Sequence, residues 1–369
     1  MLTRGNEKNN LRTYDYFASC SFYLFAVLVV LLCQGVAGVV AAAVERAHEG
    51  ASSGGIFNTA CMLFFQAANA AFIYFYTRIK RHRFNFTYFS DGETGKGVTP
   101  TVVIMPIVLS VVLMCGMYLP TVWYGYFTKA IGIPESAGAL DLDSAGAIVM
   151  IVISSVFLAP VFEETIYRGV LLHGLKKEFS PVKSVMLAAV AFMMMHMSPL
   201  QVVFQLALGV LSGFLALKTK RLLPSVILHA ASNALALVVQ LTPLAAALGG
   251  SVAWLTEHIA AAVFITLLFF VVCGGICFVA LRYAFDKKHW KNMHGGEGDG
   301  GSNGGKIVVI DDGSDDIIFD GAENNRAPEI MRAEVMAQLQ RRDGLVRYFI
   351  GIGICAVMFI INLVSMILL

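Results

Sequence analysis

SAGAIVMIVISSVFLAPVFEETIYRGVLL, residues 144–172, decides the solvent in which this chain folds. The run is apolar for longer than the roughly 20 residues a helix needs to cross a bilayer, yet it contains Glu163, Glu164 and Arg168. An ionisable group at the centre of a transmembrane helix costs roughly 2.5 to 3.5 kcal/mol on insertion scales, so it persists mainly where it is paired or functional. Two more such groups follow in later apolar runs: His196 with Phe192 four residues before it, and His229 with Asn233 four residues after it. Carboxylates, an arginine, histidines and an asparagine in neighbouring spans point to an intramembrane site.

The composition agrees. With 57% hydrophobic and 14% charged residues, 369 residues have too little polar surface to cover a water-soluble globule, and the expected class is an integral membrane protein. A net charge of +2 gives no reason to invoke nucleic acid. The seven cysteines all lie in apolar runs without a CxxC pair, which argues against disulfides and against a cysteine-bound zinc.

Nine apolar segments, at approximately 17–44, 56–77, 101–127, 144–172, 181–197, 200–217, 223–248, 252–283 and 346–369, predict an all-α fold, a polytopic transmembrane bundle of about eight core helices plus a C-terminal ninth. Barrel strands would be short and alternating instead. The first segment is too long for the roughly 7 to 15 apolar residues of a signal-peptide core. The organisation reads as an N-terminal segment 1–16, a transmembrane core 17–285 with its motifs in 144–248, an insertion 286–345 and a last helix 346–369. Lysines and arginines cluster before segment one, after two, between four and five, between six and seven, and after eight, all on one side if the segments alternate. The positive-inside rule makes that side, with the amino terminus, cytoplasmic and puts the carboxyl terminus outside. In a bacterium the membrane would be the plasma membrane. The insertion opens with a Gly-rich linker, 295–305, followed by a predicted β-hairpin, 306–319, and a helical stretch, 328–342. Its acidic turn, 311–316, does not match the spacing of a calcium-binding loop.

Residues four apart share a helix face. Glu164 can therefore pair with Arg168, Phe192 can pack beneath His196, and His229 and Asn233 point the same way. Counted from the basic flanks at 1.5 Å per residue, Glu163 and His196 lie about 20 Å deep, Asn233 about 18 Å and His229 about 12 Å. The similar depths favour convergence on one cavity open to the basic side. The turn at Ser198-Pro199 is expected to be buried, because segments five and six are short.

Glu163-Glu164-Thr-Ile-Tyr-Arg168, Phe192-Met-Met-Met-His196 and His229-Ala-Ala-Ser-Asn233 resemble, in order and spacing, the EExxxR, FxxxH and HxxxN/B motifs of the CPBP intramembrane proteases, the family of type II CAAX prenyl endopeptidases and bacterial Abi proteins. The resemblance covers roughly residues 144–248. It implies a peptide hydrolase in which Glu163, with His196, activates water while His229 and Asn233 stabilise the tetrahedral oxyanion. Glu164, Arg168 and Phe192 would support the site. The implied substrate is a membrane-associated protein or peptide, either a CAAX-type prenylated protein or a bacterial peptide with a leader. The family is often called metalloprotease, and a zinc ion could be held by Glu163, His196 and His229. There is no HExxH, and each histidine stands alone on its segment, so glutamate-driven hydrolysis without a resident metal is placed ahead of zinc.

Each residue also has a plainer reading. A lone buried histidine is often a satisfied structural residue, and Glu164 with Arg168 reads as an ion pair holding the helix. His173 and His258 read as interfacial. Gln201 and Gln205 could line the cavity or simply bond between helices. Gly35, Gly38, Gly274, Gly275, Gly351 and Gly353 read as close-packing positions. The competing function is a non-catalytic scaffold or a transporter that uses the polar cluster to bind a partner or substrate; no internal repeat with paired broken helices supports the transporter.

Overall fold

A computed structural model describes residues 15–47, 54–80, 100–133, 144–284 and 327–368. These residues are helical apart from short connections and contain no strand. We label the helices α1 (Tyr16–Ala47), α2 (Gly54–Lys80), α3 (Pro100–Ala130), α4 (Ala145–Leu175), α5 (Pro181–Met195), α6 (Val202–Thr219), α7 (Leu223–Leu241), α8 (Leu244–Glu257), α9 (Ile259–Val279) and α10 (Ala327–Leu368). Eight are long and apolar enough to span a bilayer. The polytopic helical bundle expected from the sequence is present, and the predicted hairpin at 306–319 lies outside the described residues.

Three boundaries differ from the expectation. The fifth segment, α5, has only 15 residues and is too short to cross by itself. The seventh ends at Leu241, where Thr242 turns to an extended backbone before Pro243. Residues 244–257 form the separate helix α8, and α9 starts at Ile259. Long apolar stretches on both sides hid this break, although Thr242-Pro243 and Glu257-His258 mark its two ends. At the other end of the chain, the helical stretch 328–342 and the last span are one helix of 42 residues.

Prolines at the first turns of α5 and α7 begin helices where a backbone N–H has no helical partner anyway. α5 stops at Met195, and Met197 takes a left-handed conformation (φ 49°). Met197 and Pro199 are buried, as the sequence suggested for this turn. A turn inside the bundle strands carbonyls that water cannot reach, so each needs a protein donor. Asn362 of α10 donates to the Met197 carbonyl at 2.7 Å, and the Tyr124 hydroxyl of α3 donates to the Pro199 carbonyl at 2.8 Å.

α10 is a full member of the bundle. Its Gly344 and Gly351 sit against the rings of Tyr16 and Tyr23 on α1, where an added Cβ would meet ring carbons at 2.5 and 2.6 Å. Tyr348 donates to the Leu187 carbonyl of α5 at 2.9 Å, and Arg347 reaches Ser21 Oγ at 3.1 Å while lying over the Phe17 ring. The paired positions rise together along both chains, so α1, α5 and α10 run parallel. A common core joins α1, α4, α5, α6 and α10 through Tyr23, Tyr167, Leu171, Phe192, Leu208 and Tyr348. α9 by contrast exposes Phe264, Leu267, Phe270 and Val271, the face of a helix solvated by lipid.

Of the glycines expected at close contacts, Gly351 is one, whereas Gly35, Gly274, Gly275 and Gly353 have open space around the missing side chain. The tight positions that matter most were not singled out: Gly209 and Gly213 on α6 meet Ala189 and Val185 of α5 at 3.0 and 2.9 Å from an added Cβ. Their four-residue spacing is the small-xxx-small pattern of close helix pairs. Gly351→Val should lower stability by about 1 to 3 kcal/mol through overpacking against Tyr23, whereas Gly353→Val should leave it unchanged. Thermal unfolding in detergent micelles checks both.

Candidate active site

α4 carries the carboxylates, and it is not a regular α-helix. It widens into π-helical turns over Val152–Leu158 and Thr165–Leu171, on either side of Glu163 and Glu164. Pro160 explains the first. The Ala159 N–H bonds back to the Ser154 carbonyl, five residues earlier. The nitrogen five residues beyond Ser155 belongs to Pro160 and has no hydrogen, so the Ser155 carbonyl is left without a helical donor. Asn233 of α7 fills that position, its amide nitrogen 2.7 Å from Ser155 O. π-turns of this kind are frequent at functional sites, where they re-aim side chains.

Glu164 and Arg168 are sealed from solvent and bonded at 2.9 Å (Arg168 Nη1 to Glu164 Oε1). The same carboxylate oxygen accepts His229 Nδ1–H at 3.0 Å. Arg168 Nη2 donates to the Gly209 carbonyl of α6 at 3.0 Å; the missing side chain of Gly209 lets Ala189 of α5 approach the same helix. Phe192 lies against the other face of the guanidinium, 4.4 Å from ring centroid to Cζ. Its ring also meets His196 and His229 edge-on at 4.9 and 5.5 Å. The expected pairing of Phe192 with His196 is present, and Phe192 is in addition the apolar floor shared by the arginine and both histidines.

Glu163 faces the other way. Its Oε2 lies 3.9 Å from His196 Nε2 and 3.9 Å from His229 Nε2, and no hydrogen-bond partner satisfies it. The tautomers follow from the acceptors on the far sides of the rings. The Phe192 carbonyl, 3.0 Å from His196 Nδ1, can only accept, and so can the Glu164 carboxylate. Both Nδ1 atoms therefore carry hydrogen, and each ring turns its Nε2 toward Glu163. Glu163 Oε2 and the two Nε2 atoms thus face one small space.

The side chains of Glu163 and His196 keep 14% and 19% of their exposure, against none for Glu164 and 2% for His229. The Glu163 side chain is thus partly accessible, with its Oε2 buried between the histidines, and Glu164 is sealed. Ligand chemistry of the two-histidine, one-carboxylate type suits zinc, but among the described residues no three His, Cys, Asp or Glu side chains are placed to hold one metal ion.

The structure therefore gathers Glu163, Glu164, Arg168, Phe192, His196 and His229 from α4, α5 and α7 into one cluster, and ties Asn233 to the α4 backbone beside it. Other sequence candidates lie elsewhere. Gln201, exposed just before α6, and Gln205, half-buried in its first turn, hold each other at 3.5 Å, with Gln205 Oε1 buried and without a partner. His173, expected at the interface, is buried against neighbouring helices. His258 is exposed and stacks on Trp254. Tyr124, Asn362 and Gly209, which support the site from outside the motifs, were not anticipated; only Gly209 had a signal, the spacing to Gly213.

Residues 145–235 match the family described as Type II CAAX prenyl endopeptidase Rce1-like, the family that the three motifs resemble. The matched stretch is less than half of the chain and contains every residue of the cluster. No curated protein and no solved structure matches this chain.

Arg168→Ala leaves Glu164 as a sealed carboxylate facing His229 alone. Removing one partner of a buried pair costs about 3 to 5 kcal/mol, so the variant should lose expression and unfold earlier in detergent. Arg168→Lys should recover little of this, because an ammonium cannot reach Glu164 and Gly209 with the planar fork of the guanidinium.

Proposed function

We propose that this chain is an intramembrane endopeptidase that hydrolyses a peptide bond of a membrane-associated substrate with water activated by Glu163. The observation that carries the reading is the division of labour between adjacent carboxylates: Glu164 is sealed and committed to Arg168 and His229, while Glu163 is partly accessible and unpaired, with two imidazole nitrogens turned toward it. The match of the same residues to a peptidase family adds to it.

Glu163 takes a proton from water as the oxygen attacks the scissile carbonyl, and His196 shares the orientation of that water. The oxyanion falls to His229 and Asn233. In this reading His229 is doubly protonated before the attack, with the Glu164 carboxylate at Nδ1 as its countercharge, and it donates from Nε2 without giving up its proton. Asn233 has one amide hydrogen engaged with Ser155 and one left to donate. Donors held in a cavity with little water stabilise developing negative charge more than they could in bulk. The proton on Glu163 then passes to the leaving amine. No step here is routed through zinc.

The substrate class is a chain held at the membrane, either a CAAX-type prenylated protein, as the family description names, or a leader-bearing peptide. The basic connections, and with them the mouth of the site, face the cytoplasm in this reading. The insertion 286–345 stands outside the chemistry.

Glu163→Gln keeps shape and removes the proton acceptor. Cleavage of a prenylated CAAX peptide by purified protein in micelles should fall by roughly 10² to 10⁴-fold, the usual contribution of general acid–base catalysis, with the melting temperature unchanged. Near-wild-type turnover by the folded variant would refute the assignment. Pre-incubation with a zinc chelator should leave wild-type turnover intact; loss of activity that zinc restores would move Glu163 from base to ligand.

A further inference from the structure

α2 is mostly exposed to lipid, yet the stripe that it turns inward is polar. Its buried positions are Thr59, Gln66, Asn69 and Ile73. Gln66 and Asn69 are more than nine-tenths buried, and neither Gln66 Oε1 nor Asn69 Oδ1 has a hydrogen-bond partner. α2 packs along α4 from its first turns at 145–151 through the first π-turn to the segment that ends at Glu164, and Ser154 Oγ on that turn is likewise buried and without a hydrogen-bond partner. A side-chain amide inside a membrane protein without a partner is unfavourable, and such groups persist mainly where something binds them.

The level along the membrane normal is set by the fold. α1, α5 and α10 run parallel; α2 reverses α1 and α4 is reversed by α5, so α2 and α4 run parallel to each other. Counted back from their basic ends, Gln66 is about 21 Å and Asn69 about 17 Å from Lys80, and Glu163 is about 20 Å from Lys176. The two residues with unpaired amide oxygens, on the neighbouring helix, bracket Glu163 in depth.

A carboxamide offers one acceptor and two donors in the plane and spacing of a peptide group, so its best partner in a low dielectric is another amide. A substrate that stays helical cannot supply one, because its backbone groups are already bonded within the helix. An extended segment presents both N–H and C=O, and residues three apart on a helix have Cβ atoms about 5 to 6 Å apart, close to the two-residue repeat of about 6.6 Å in an extended chain.

We propose that Gln66 and Asn69 form a docking subsite for the substrate main chain, holding an extended segment beside Glu163 through hydrogen bonds to its peptide groups. The subsite rests on the reading of this chain as a protease. It selects unwound chain over intact transmembrane helix by the hydrogen bonds that only unwound chain has free.

The test uses the full-length protein in micelles and a quenched-fluorescent peptide that ends in a CAAX sequence, offered with and without a prenyl group on its cysteine. Gln66→Leu and Asn69→Leu should each raise KM about three- to tenfold, the worth of one hydrogen bond, with kcat within about twofold. Their thermal stability should be unchanged or higher, because an unpaired buried amide has been removed. The decisive comparison replaces single peptide bonds flanking the scissile one by esters, which removes one N–H at a time. One ester should raise the wild-type KM by a similar factor and add nothing in the variant that has lost its acceptor. Fully additive penalties, or a Leu variant that unfolds early, overturn the subsite while leaving the protease reading standing. A wild type that cleaves neither form of the peptide overturns the protease reading and the subsite with it.

Discussion

A single carboxylate oxygen, Glu164 Oε1, accepts from both Arg168 and His229, and the rest of the site depends on it. Inside a membrane protein neither the carboxylate nor the guanidinium can fall back on bulk water, so the cost of burying each is recovered only by close pairing with good geometry. The pair is further tied to Gly209 O and to the Phe192 ring, which brings α6 and α5 onto α4. His229, fixed at Nδ1, has no freedom left in its ring. Its Nε2 must face the space where Glu163 also points, and the catalytic arrangement proposed here is the accessible side of a sealed ionic core.

The backbone of α4 shows how one residue type propagates. Pro160 cannot donate, the helix widens, the Ser155 carbonyl is orphaned, and a side chain from α7 replaces the missing donor. The bond that satisfies the backbone also fixes Asn233 next to the histidine one turn earlier on its own helix. Structural and chemical roles need not compete for this residue, since a side-chain amide has two hydrogens to give.

His196 is held by a different device. It caps a short helix that ends inside the bundle, and the turn after it is supported by α3 and α10 rather than by water. α10 follows the longest stretch of charged and glycine-rich chain in the sequence, yet its contacts run along α1 and α5 through Gly344, Tyr348, Gly351 and Asn362.

The sequence by itself determined the solvent, the helical class and the identity of the clustered residues, because membrane burial makes each ionisable side chain an exception that needs a partner and the i, i+4 spacing puts such partners on one face. It did not show which polar residues within the long apolar runs break a helix: α8 separates from α7 at Thr242-Pro243 and from α9 at His258, whereas Thr266 and Thr165 lie inside helices. Nor could it show that Glu164 rather than Glu163 holds His229, since adjacent carboxylates differ only in the direction they face, and a widened helical turn sets that direction. The donors from Tyr124 and Asn362 and the approach at Gly209 were decided by tertiary structure alone. A buried carbonyl takes its partner from whatever helix passes within 3 Å, and packing brings that helix there without regard to its distance along the chain.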